Sequence, residues 1–260
     1  MALETRFVVE SGGDRLACRF LSPGHSAKSS PLVIVLTGDS PKGTRSKTWG
    51  PVGDRLTAAG FGVLLFDFLS QGDSEGDRER LTLTTATRNY LDVVSHVRKS
   101  GGLRRRPFGL LASSMGASVV LNTLTSRPKP RCIVFKSPAS FLIEAYETEH
   151  PTQDAMEKWA QSGLSSVTGL GYQAYEDAAR HNLYRHAARI PCPTLVIHGD
   201  SDTIVPVSQS RRLVRLARDM ATLKEVQGAN HDYSAENATE TFLNEMEAHF
   251  CRHLLTGDGA

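Results

Sequence analysis

Short, wholly apolar segments alternate with amphipathic ones along most of the chain, and this alternation restricts the fold more than any other sequence feature. The apolar segments are residues 32–36, 63–66, 108–111, 132–135 and 194–197. Continuous apolar runs of this length predict strands that are covered on both faces, as in a parallel sheet flanked by helices. The segments between them have helical spacing, as at Tyr90, Val94 and Val97.

Two more strand-like segments precede this pattern, at residues 6–10 and 15–21. The Ser-Gly-Gly-Asp sequence between them is typical of a tight turn, so we expect an antiparallel hairpin. Near the other end of the chain, apolar residues recur at helical spacing over 213–220, with Met220 as the last of its stripe, and over 243–254. The whole pattern predicts an α/β fold with a doubly wound, mostly parallel sheet, opened by the N-terminal antiparallel hairpin.

The segment after the fourth apolar run departs from the alternation. It contains no clear strand, but it has polar stretches with helical character at 155–161 and 172–181. Because long loops are uncommon inside a compact sheet, we expect a small helical lid of two or three helices. The lid is predicted as an insertion at about 138–190 in a single domain that spans residues 1–260. Ordinary crossover helices joined by long loops are the alternative.

Composition and charge argue against several classes of partner. A formal net charge of +2 over 260 residues provides no drive toward nucleic acid. No run of about 18 apolar residues occurs, so no membrane span is expected, and the first ten residues do not resemble a signal peptide. The four cysteines are scattered and have neither metal-ligand nor disulfide spacing: Cys18, Cys132, Cys192 and Cys251. These features predict a cytoplasmic protein with free thiols and leave its oligomeric state open.

The most informative motif follows the third apolar run. The sequence there is Ala112-Ser113-Ser114-Met115-Gly116, and a helical segment comes next. A strand that leads into such a motif and then into a helix is typical of a nucleophile elbow, in which the serine lies on a sharp, strained turn. The residues two before and two after that serine must be small, as Ala112 and Gly116 are for Ser114. Ser113 would have bulky residues there, so Ser114 is the candidate nucleophile. A serine that only caps a helix is the alternative.

A serine nucleophile needs a base within hydrogen-bond reach, and the base needs a carboxylate that orients it. In an elbow-containing fold these residues follow in the chain order serine, acid, histidine. The last apolar run leads into His198-Gly199-Asp200-Ser201-Asp202, and a later turn ends in Gly228-Ala229-Asn230-His231. His231 is the candidate base, and Asp200 and Asp202 are both candidate acids. His198, at the end of a strand, is expected to be a structural, hydrogen-bonded histidine.

Together these motifs resemble the α/β-hydrolase superfamily over nearly the whole chain. The resemblance rests on the Ser114 elbow, His-Gly-x-x-Asp-x-x-Val-Pro at 198–206 and Gly-x-x-His at 228–231. The loop at 67–76 is similar to the superfamily's Asp-x-x-Gly-x-Gly-x-Ser-x-Gly loop, with Ser70 in place of one glycine. The spacing is closest to small bacterial cinnamoyl/feruloyl-type esterases and monoglyceride-lipase-like enzymes. This resemblance implies that Asp202 is the acid, and that Asp200 is a turn residue.

The resemblance also implies an oxyanion hole made of two backbone N–H groups. One belongs to Met115, directly after the nucleophile, and the other comes from the loop after the third strand. Relatives usually have His-Gly before the second donor; here Thr37 replaces the histidine and Asp39 occupies the donor position. A carboxylate opposes negative charge on an oxyanion, so we expect the Asp39 side chain to point outward.

Two further patterns suggest other chemistry, but each lacks a necessary residue. Gly38-x-x-x-x-Gly43-Thr44 follows a strand as a phosphate-binding P-loop does, but that motif needs lysine after the second glycine. His249 and His253 have the spacing of a paired metal site, but no glutamate follows His249 and no third ligand is evident. Both are expected to be solvated histidines on a helix face. No metal or organic cofactor is predicted.

The sequence therefore predicts a serine hydrolase that cleaves carboxylic esters of small or medium acyl substrates through an acyl-enzyme. Its expected partner is a small-molecule ester. Peptidase, thioesterase or acyltransferase chemistry on the same residues is one alternative, because a fold does not determine its chemistry. A catalytically silent, hydrolase-like binding protein is the other, and it is suggested by the departures at Thr37, Asp39 and Ser70.

Overall fold

The computed structural model describes residues 3–24, 30–100 and 106–255, and these residues form an eight-stranded sheet. The strands are β1 (Leu3–Ser11), β2 (Asp14–Ser22), β3 (Leu32–Leu36), β4 (Gly62–Phe66), β5 (Phe108–Ser113), β6 (Cys132–Lys136), β7 (Thr194–Gly199) and β8 (Ala221–Val226). Their order across the sheet is β1-β2-β4-β3-β5-β6-β7-β8. β1 and β2 pair antiparallel, β2 pairs antiparallel with β4, and all other neighbours are parallel. The predicted fold class, a mostly parallel sheet with an N-terminal hairpin, is confirmed.

The hairpin turns at Gly12 and Gly13, which both have positive φ angles. Tight two-residue hairpin turns favour such angles, and glycine adopts them without steric cost. β1 and β2 are longer than predicted because their backbone pairing continues from Leu3 opposite Ser22 to Ser11 opposite Asp14. Because both strands contain polar side chains, a search for apolar patterns does not show their full length.

Helices cover both faces of the sheet. The α-helices among the described residues are α1 (Trp49–Ala58), α2 (Leu83–Lys99), α3 (Met115–Asn122), α4 (Leu142–Glu149), α5 (Gln153–Ser162), α6 (Gln173–Ala179), α7 (Tyr184–Ala187), α8 (Val207–Ala217) and α9 (Ala238–Phe250). α1 and α9 pack on one face with Val33 and Val35, whereas α2, α3 and α8 pack on the other with Ile34. This alternation within β3 explains why its run is continuously apolar.

The predicted apolar stripes differ in outcome. Tyr90, Val94 and Val97 on α2 are buried, as expected. Met220 was expected to continue the stripe of α8, but this prediction is wrong because the helix ends at Ala217. Arg218 has a positive φ of 55°, so the chain turns there and leaves Met220 47% exposed.

Residues 138–190, all of which the structure describes, contain four helices, α4 to α7, rather than the two or three predicted. The stretches at 155–161 and 172–181 correspond to α5 and α6, so α4 and α7 are the two helices that the sequence pattern did not indicate. The segment has its own small aromatic centre at Trp159, which stacks on His150 with 4.4 Å between ring centroids. The Trp159 indole donates a hydrogen bond of 3.0 Å to the Leu170 carbonyl. These contacts hold the longest loop of the segment against α5.

No helix among the described residues is both long enough and apolar enough to cross a bilayer. The four cysteines are free thiols.

Candidate active site

Ser114 lies at the junction of β5 and α3, with backbone angles φ 49° and ψ −121°. Positive φ is strained for a residue with a side chain, so surrounding contacts must hold it. Its N–H donates to the Lys136 carbonyl at 3.1 Å, and its carbonyl accepts from Ala117 and Ala139. These bonds fix the sharp turn that the sequence predicts, at the carboxyl end of the central strands.

Two glycines beside this turn are required by close approach. A Cβ atom on Gly116 would lie 2.5 Å from the Thr37 carbonyl oxygen, and one on Gly38 would lie 3.0 Å from the Ser114 Cβ. The first distance is too short for a side chain, and the second would force Ser114 to shift. The small residue predicted at 116 is therefore needed because α3 starts directly against the end of β3.

The structure brings Asp202 and His231 together. The Nδ1 atom of His231 lies 2.7 Å from Oδ2 of Asp202, so the ring can donate its Nδ1 proton to the carboxylate. The other oxygen of Asp202 accepts from the N–H groups of Ile204 and Val205, each at 2.9 Å. With Nδ1 occupied in this way, Nε2 of His231 is free to accept a proton.

The Asp202 side chain is fully buried, and yet its carboxyl group stays ionised at neutral pH. Burial raises its pKa, but hydrogen bonds from His198 and His231 outweigh burial and lower the pKa well below its ordinary value. His198, predicted to be structural, has Nδ1 at 2.6 Å from the Ser210 hydroxyl and Nε2 at 2.9 Å from the Val205 carbonyl. The same Nε2 lies 3.2 Å from the Asp202 carboxylate. It therefore also supports the acid directly.

Asp200, the other candidate acid, lies apart from His231. Its carboxylate accepts hydrogen bonds from the Gly228 N–H at 2.7 Å and from the Ser201 hydroxyl at 3.0 Å. It is exposed, and it has the turn role that the resemblance implies.

Ser114 and His231 line one cavity of about 180 Å³. Among the described residues the Ser114 hydroxyl donates no hydrogen bond to His231. Such contacts are often long without substrate and close in the substrate complex. The cavity is therefore lined by a hydroxyl and an imidazole, and the imidazole is bonded through Nδ1 to a buried carboxylate outside the cavity.

A buried glutamine orients the loop after β3. Gln71 donates through Nε2 to the Gly38 carbonyl at 2.7 Å, and its Oε1 accepts from the Thr37 hydroxyl at 3.0 Å. The Gly38 carbonyl and the Asp39 N–H belong to one planar peptide unit and point in opposite directions. Because the Gly38 carbonyl points toward Gln71, the Asp39 N–H points away from Gln71. Met115 is the first residue of α3, where N–H groups have no partner within the helix.

The sequence led us to expect that the Asp39 side chain points outward, but it is half-buried and lies on the wall of the cavity. Arg78 donates to the Asp39 carbonyl at 2.5 Å and also to the Thr168 carbonyl at 2.7 Å. Its positive charge interacts with the Asp39 carboxylate. The arginine thereby offsets the negative charge at this position, and it ties the 138–190 segment to the loop after β3.

Glu149, at the end of α4, lies on the same cavity wall. Burial, and then the neighbouring Asp39 carboxylate, raise its pKa to about 8, against the opposing effect of Arg78. At neutral pH its carboxyl group is mainly protonated, so it adds no negative charge to the cavity.

Replacing Gln71 by leucine should lower kcat by roughly tenfold to a hundredfold with little change in KM, because the Asp39 N–H loses its orientation toward a developing oxyanion. Steady-state hydrolysis of p-nitrophenyl acetate measures this. Gln209→Leu is the matched control, since Gln209 is also buried and bonds to the Phe141 backbone. Equal kcat values for the two variants would show that Gln71 does not orient the Asp39 N–H for catalysis.

The raised pKa of Glu149 predicts a pH effect on turnover. As pH rises through about 8, this carboxyl group ionises and opposes negative charge on the oxyanion, so kcat should fall by roughly threefold to tenfold. Glu149→Gln should remove that fall, whereas Glu147→Gln, on the exposed side of α4, should keep it. Rate profiles from pH 6 to 10 measure the difference. A profile shared by all three proteins would contradict the prediction.

Among the described residues, neither the P-loop-like segment nor the histidine pair forms the site that its chemistry would need. The Thr44 N–H, which a P-loop would turn toward phosphate, donates instead to the buried Asp67 carboxylate at 2.6 Å. His249 is buried rather than solvated, a correction to the sequence expectation, and burial lowers its pKa to about 4. Its ring lies beside His253, but the described residues provide no third ligand for a metal.

Asp67 has a structural role in the loop at 67–76. Its Oδ2 accepts a hydrogen bond from the Asp73 N–H at 3.0 Å. Together with the bond from Thr44, this contact holds the loop against the one that follows β3, and Asp67 does not line the cavity. A Cβ on Gly72 would lie 2.1 Å from that oxygen. Ser70 takes a positive φ of 63°, which accounts for the glycine usual there.

Sequence reasoning missed four contributors to the site: Gln71, Arg78, Lys136 and His198 in its contact with Asp202. Gln71 lies within the 67–76 loop that the sequence analysis singled out, so its position could have indicated a role near the site. Arg78 and Lys136 carry no local pattern, because their contacts join segments far apart in the chain.

Comparisons with known proteins show the family of the chain. A family model described as "Alpha/beta hydrolase family" matches residues 33–245. An uncharacterised protein of Mycobacterium tuberculosis is 29% identical over 210 residues, which are 81% of this chain and 66% of that protein. The chain thus spans just under two thirds of that relative. The lysophosphatidylserine lipase ABHD12 of Danio rerio is 26% identical over 211 residues, 75% of this chain and 49% of the lipase.

Solved structures show the same fold. Est1E from Butyrivibrio proteoclasticus with bound ferulic acid superposes with a TM-score of 0.84 at 20% identity, covering 96% of this chain and 100% of that one. The Pyrococcus furiosus esterase Pf2001 superposes with a TM-score of 0.75 at 19% identity, covering 97% and 93%.

Proposed function

The chain belongs to the α/β-hydrolase family, and from this premise we propose that it is a serine esterase that cleaves small-molecule carboxylic esters. Ser114 is the nucleophile, His231 the base and Asp202 the acid. The observation that carries the proposal is the buried Asp202 carboxylate bonded to His231 at 2.7 Å beside the cavity that Ser114 lines. The names of similar proteins, a lipase and two esterases, support an ester as substrate.

The reaction proceeds through an acyl-enzyme. Nε2 of His231 takes the Ser114 proton as Oγ attacks the acyl carbonyl, and Asp202 stabilises the imidazolium that forms. The N–H groups of Met115 and Asp39 bind the oxyanion. When the ester bond breaks, His231 returns the proton to the leaving alcohol. Water, activated by His231, then hydrolyses the acyl-enzyme. No step requires a metal or an organic cofactor.

The cavity supports a small acyl group. Its volume of about 180 Å³ is below the usual range of drug-sized ligand sites, and Asp39 and Glu149 make part of its wall polar. We assign residues 138–190 the role of a lid in a single domain, because Glu149 lines the cavity and Thr168 is tied to Arg78. The proposal places the enzyme in the cytoplasm, where its thiols stay reduced.

Matched substrates test the reaction class. Purified protein is assayed with an acetyl ester, the corresponding thioester and an aminoacyl anilide, with and without an added alcohol acceptor. The proposal expects the ester to have the highest kcat/KM and water to be the main acceptor. Faster turnover of the anilide, the thioester or the alcohol-transfer reaction would assign a peptidase, thioesterase or acyltransferase instead. Tight ligand binding without any turnover would favour a silent binding protein.

A further inference from the structure

A buried lysine beside the site is not used by the proposed reaction. Lys136, the last residue of β6, is 4% exposed. Its ammonium donates to the His231 carbonyl at 2.7 Å and lies 4.2 Å from the centre of the Tyr233 ring. Among the described residues no carboxylate lies within ion-pair distance of it, and burial lowers its pKa to about 8. The Asp232 and Asp202 carboxylates act on it only from beyond that distance. A buried cation without a contacting partner charge is costly unless a ligand supplies that charge.

Lys136 faces two adjoining cavities. It lines the catalytic cavity and a neighbouring one of about 530 Å³, which we call the basic cavity. Both cavities share the side chains of Ser40, Ser46, Thr48, Lys136 and Asp232. The basic cavity adds Lys42 and Lys47, which are exposed and form no ion pair with a described residue. Three lysines and several hydroxyl groups thus surround one space that continues from the site.

The basic cavity lies on the side from which an alcohol would leave. His231 returns its proton to the leaving oxygen, so the alcohol portion of an ester must lie next to His231. Asp232, Tyr233 and Ser234, which follow that histidine, form one wall of the basic cavity. A substituent on the alcohol portion would therefore extend toward Lys136.

We propose that the basic cavity binds a phosphate group on the alcohol portion of the ester substrate; this inference rests on the proposed esterase function. A phosphate carries up to two negative charges and several acceptor oxygens, which suit lysine ammonium groups with serine and threonine hydroxyls around them. Asp232 is the acidic residue on this wall, but it is exposed, so solvent and salt screen its charge. Lys136 is buried, so solvent and salt screen the charge of its protonated form much less.

Three esters with one acyl group test the proposal: 1-butyrylglycerol 3-phosphate, the butyryl ester of glycerate and neutral 1-butyrylglycerol. We expect the phosphate ester to exceed the neutral one in kcat/KM by about tenfold or more. Lys42→Ala/Lys47→Ala should cut that ratio by at least about fivefold, and added salt should lower it. Lys99→Ala/Lys129→Ala removes the same charge at the opposite end of the strands and should keep the ratio. Lys136 is not substituted, because its loss would also release His231.

Binding of glycerol 3-phosphate to Ser114→Ala, measured by calorimetry, separates this proposal from the proposed function. Binding that needs Lys42 and Lys47 supports the phosphate site even if no ester is hydrolysed. Hydrolysis of the neutral ester with no preference for phosphate overturns the phosphate site and leaves the esterase intact. A higher kcat/KM for the glycerate ester than for the phosphate ester overturns the choice of phosphate.

Discussion

Ser114→Ala should lower kcat/KM for ester hydrolysis by about 10⁵-fold to 10⁶-fold, because Ser114 is the cavity hydroxyl that lies on the strand-to-helix turn and is proposed to form the acyl-enzyme. The side chain loses one oxygen, and the backbone bonds to Lys136 and Ala139 that hold the turn remain. The variant should therefore fold normally, with an unfolding midpoint close to that of the wild type. Steady-state kinetics and thermal unfolding measure the two effects.

Ser113→Ala is the matched control for this prediction. Ser113 is the adjacent serine, is also buried, and lines the same cavity. The flanking-residue argument excludes it as nucleophile, and its replacement should change kcat/KM by only a few-fold. A large loss in Ser113→Ala, with activity retained in Ser114→Ala, would reverse the assignment.

Asp202→Asn should lower kcat by about 10⁴-fold while the protein stays folded. An asparagine amide in place of the carboxylate no longer favours the His231 tautomer with its proton on Nδ1, and it cannot stabilise the imidazolium. KM should change much less than kcat, since Asp202 acts on the transition state and does not touch the substrate. Kinetics on a p-nitrophenyl ester measure both constants.

Asp200→Asn provides the comparison for the acid. Asp200 is two residues away and bonds to the Gly228 N–H outside the cavity, so its replacement should leave kcat within a few-fold of wild type. If Asp200→Asn were the more damaging of the two substitutions, the acid would be misassigned.

The sequence predicts the strands well because each central strand is buried on both faces. In β3, Val33 packs on one side and Ile34 on the other, so every position must be apolar and the run is unmistakable. Edge strands and helix ends are predicted less well. β1 continues through polar residues because backbone pairing holds it, and α8 stops before Met220 because the backbone at Arg218 turns.

Ser114 and His231 could be proposed from the sequence because each follows a strand and lies in a motif with local constraints, whereas the family resemblance was needed to choose Asp202 over Asp200. Residue 116 must be glycine because the backbone at the end of β3 lies against it. The sequence motif shows this constraint as a small residue two positions after the serine. The surrounding support is long-range. Gln71 reaches the Gly38 carbonyl from 33 residues away, and Lys136 reaches the His231 carbonyl from 95 residues away. No local spacing encodes such pairs, so only the folded chain shows them.

The proposed reaction requires Ser114 to be an activated nucleophile, and covalent labelling can detect this property. Wild-type protein is treated with a fluorophosphonate, in which the serine oxygen displaces fluoride from phosphorus, and the modified peptide is located by mass spectrometry. We expect one adduct, on Ser114, that does not form in Ser114→Ala and forms much more slowly in Asp202→Asn. An unlabelled wild-type protein, or an adduct on any other residue, would contradict the proposed reaction.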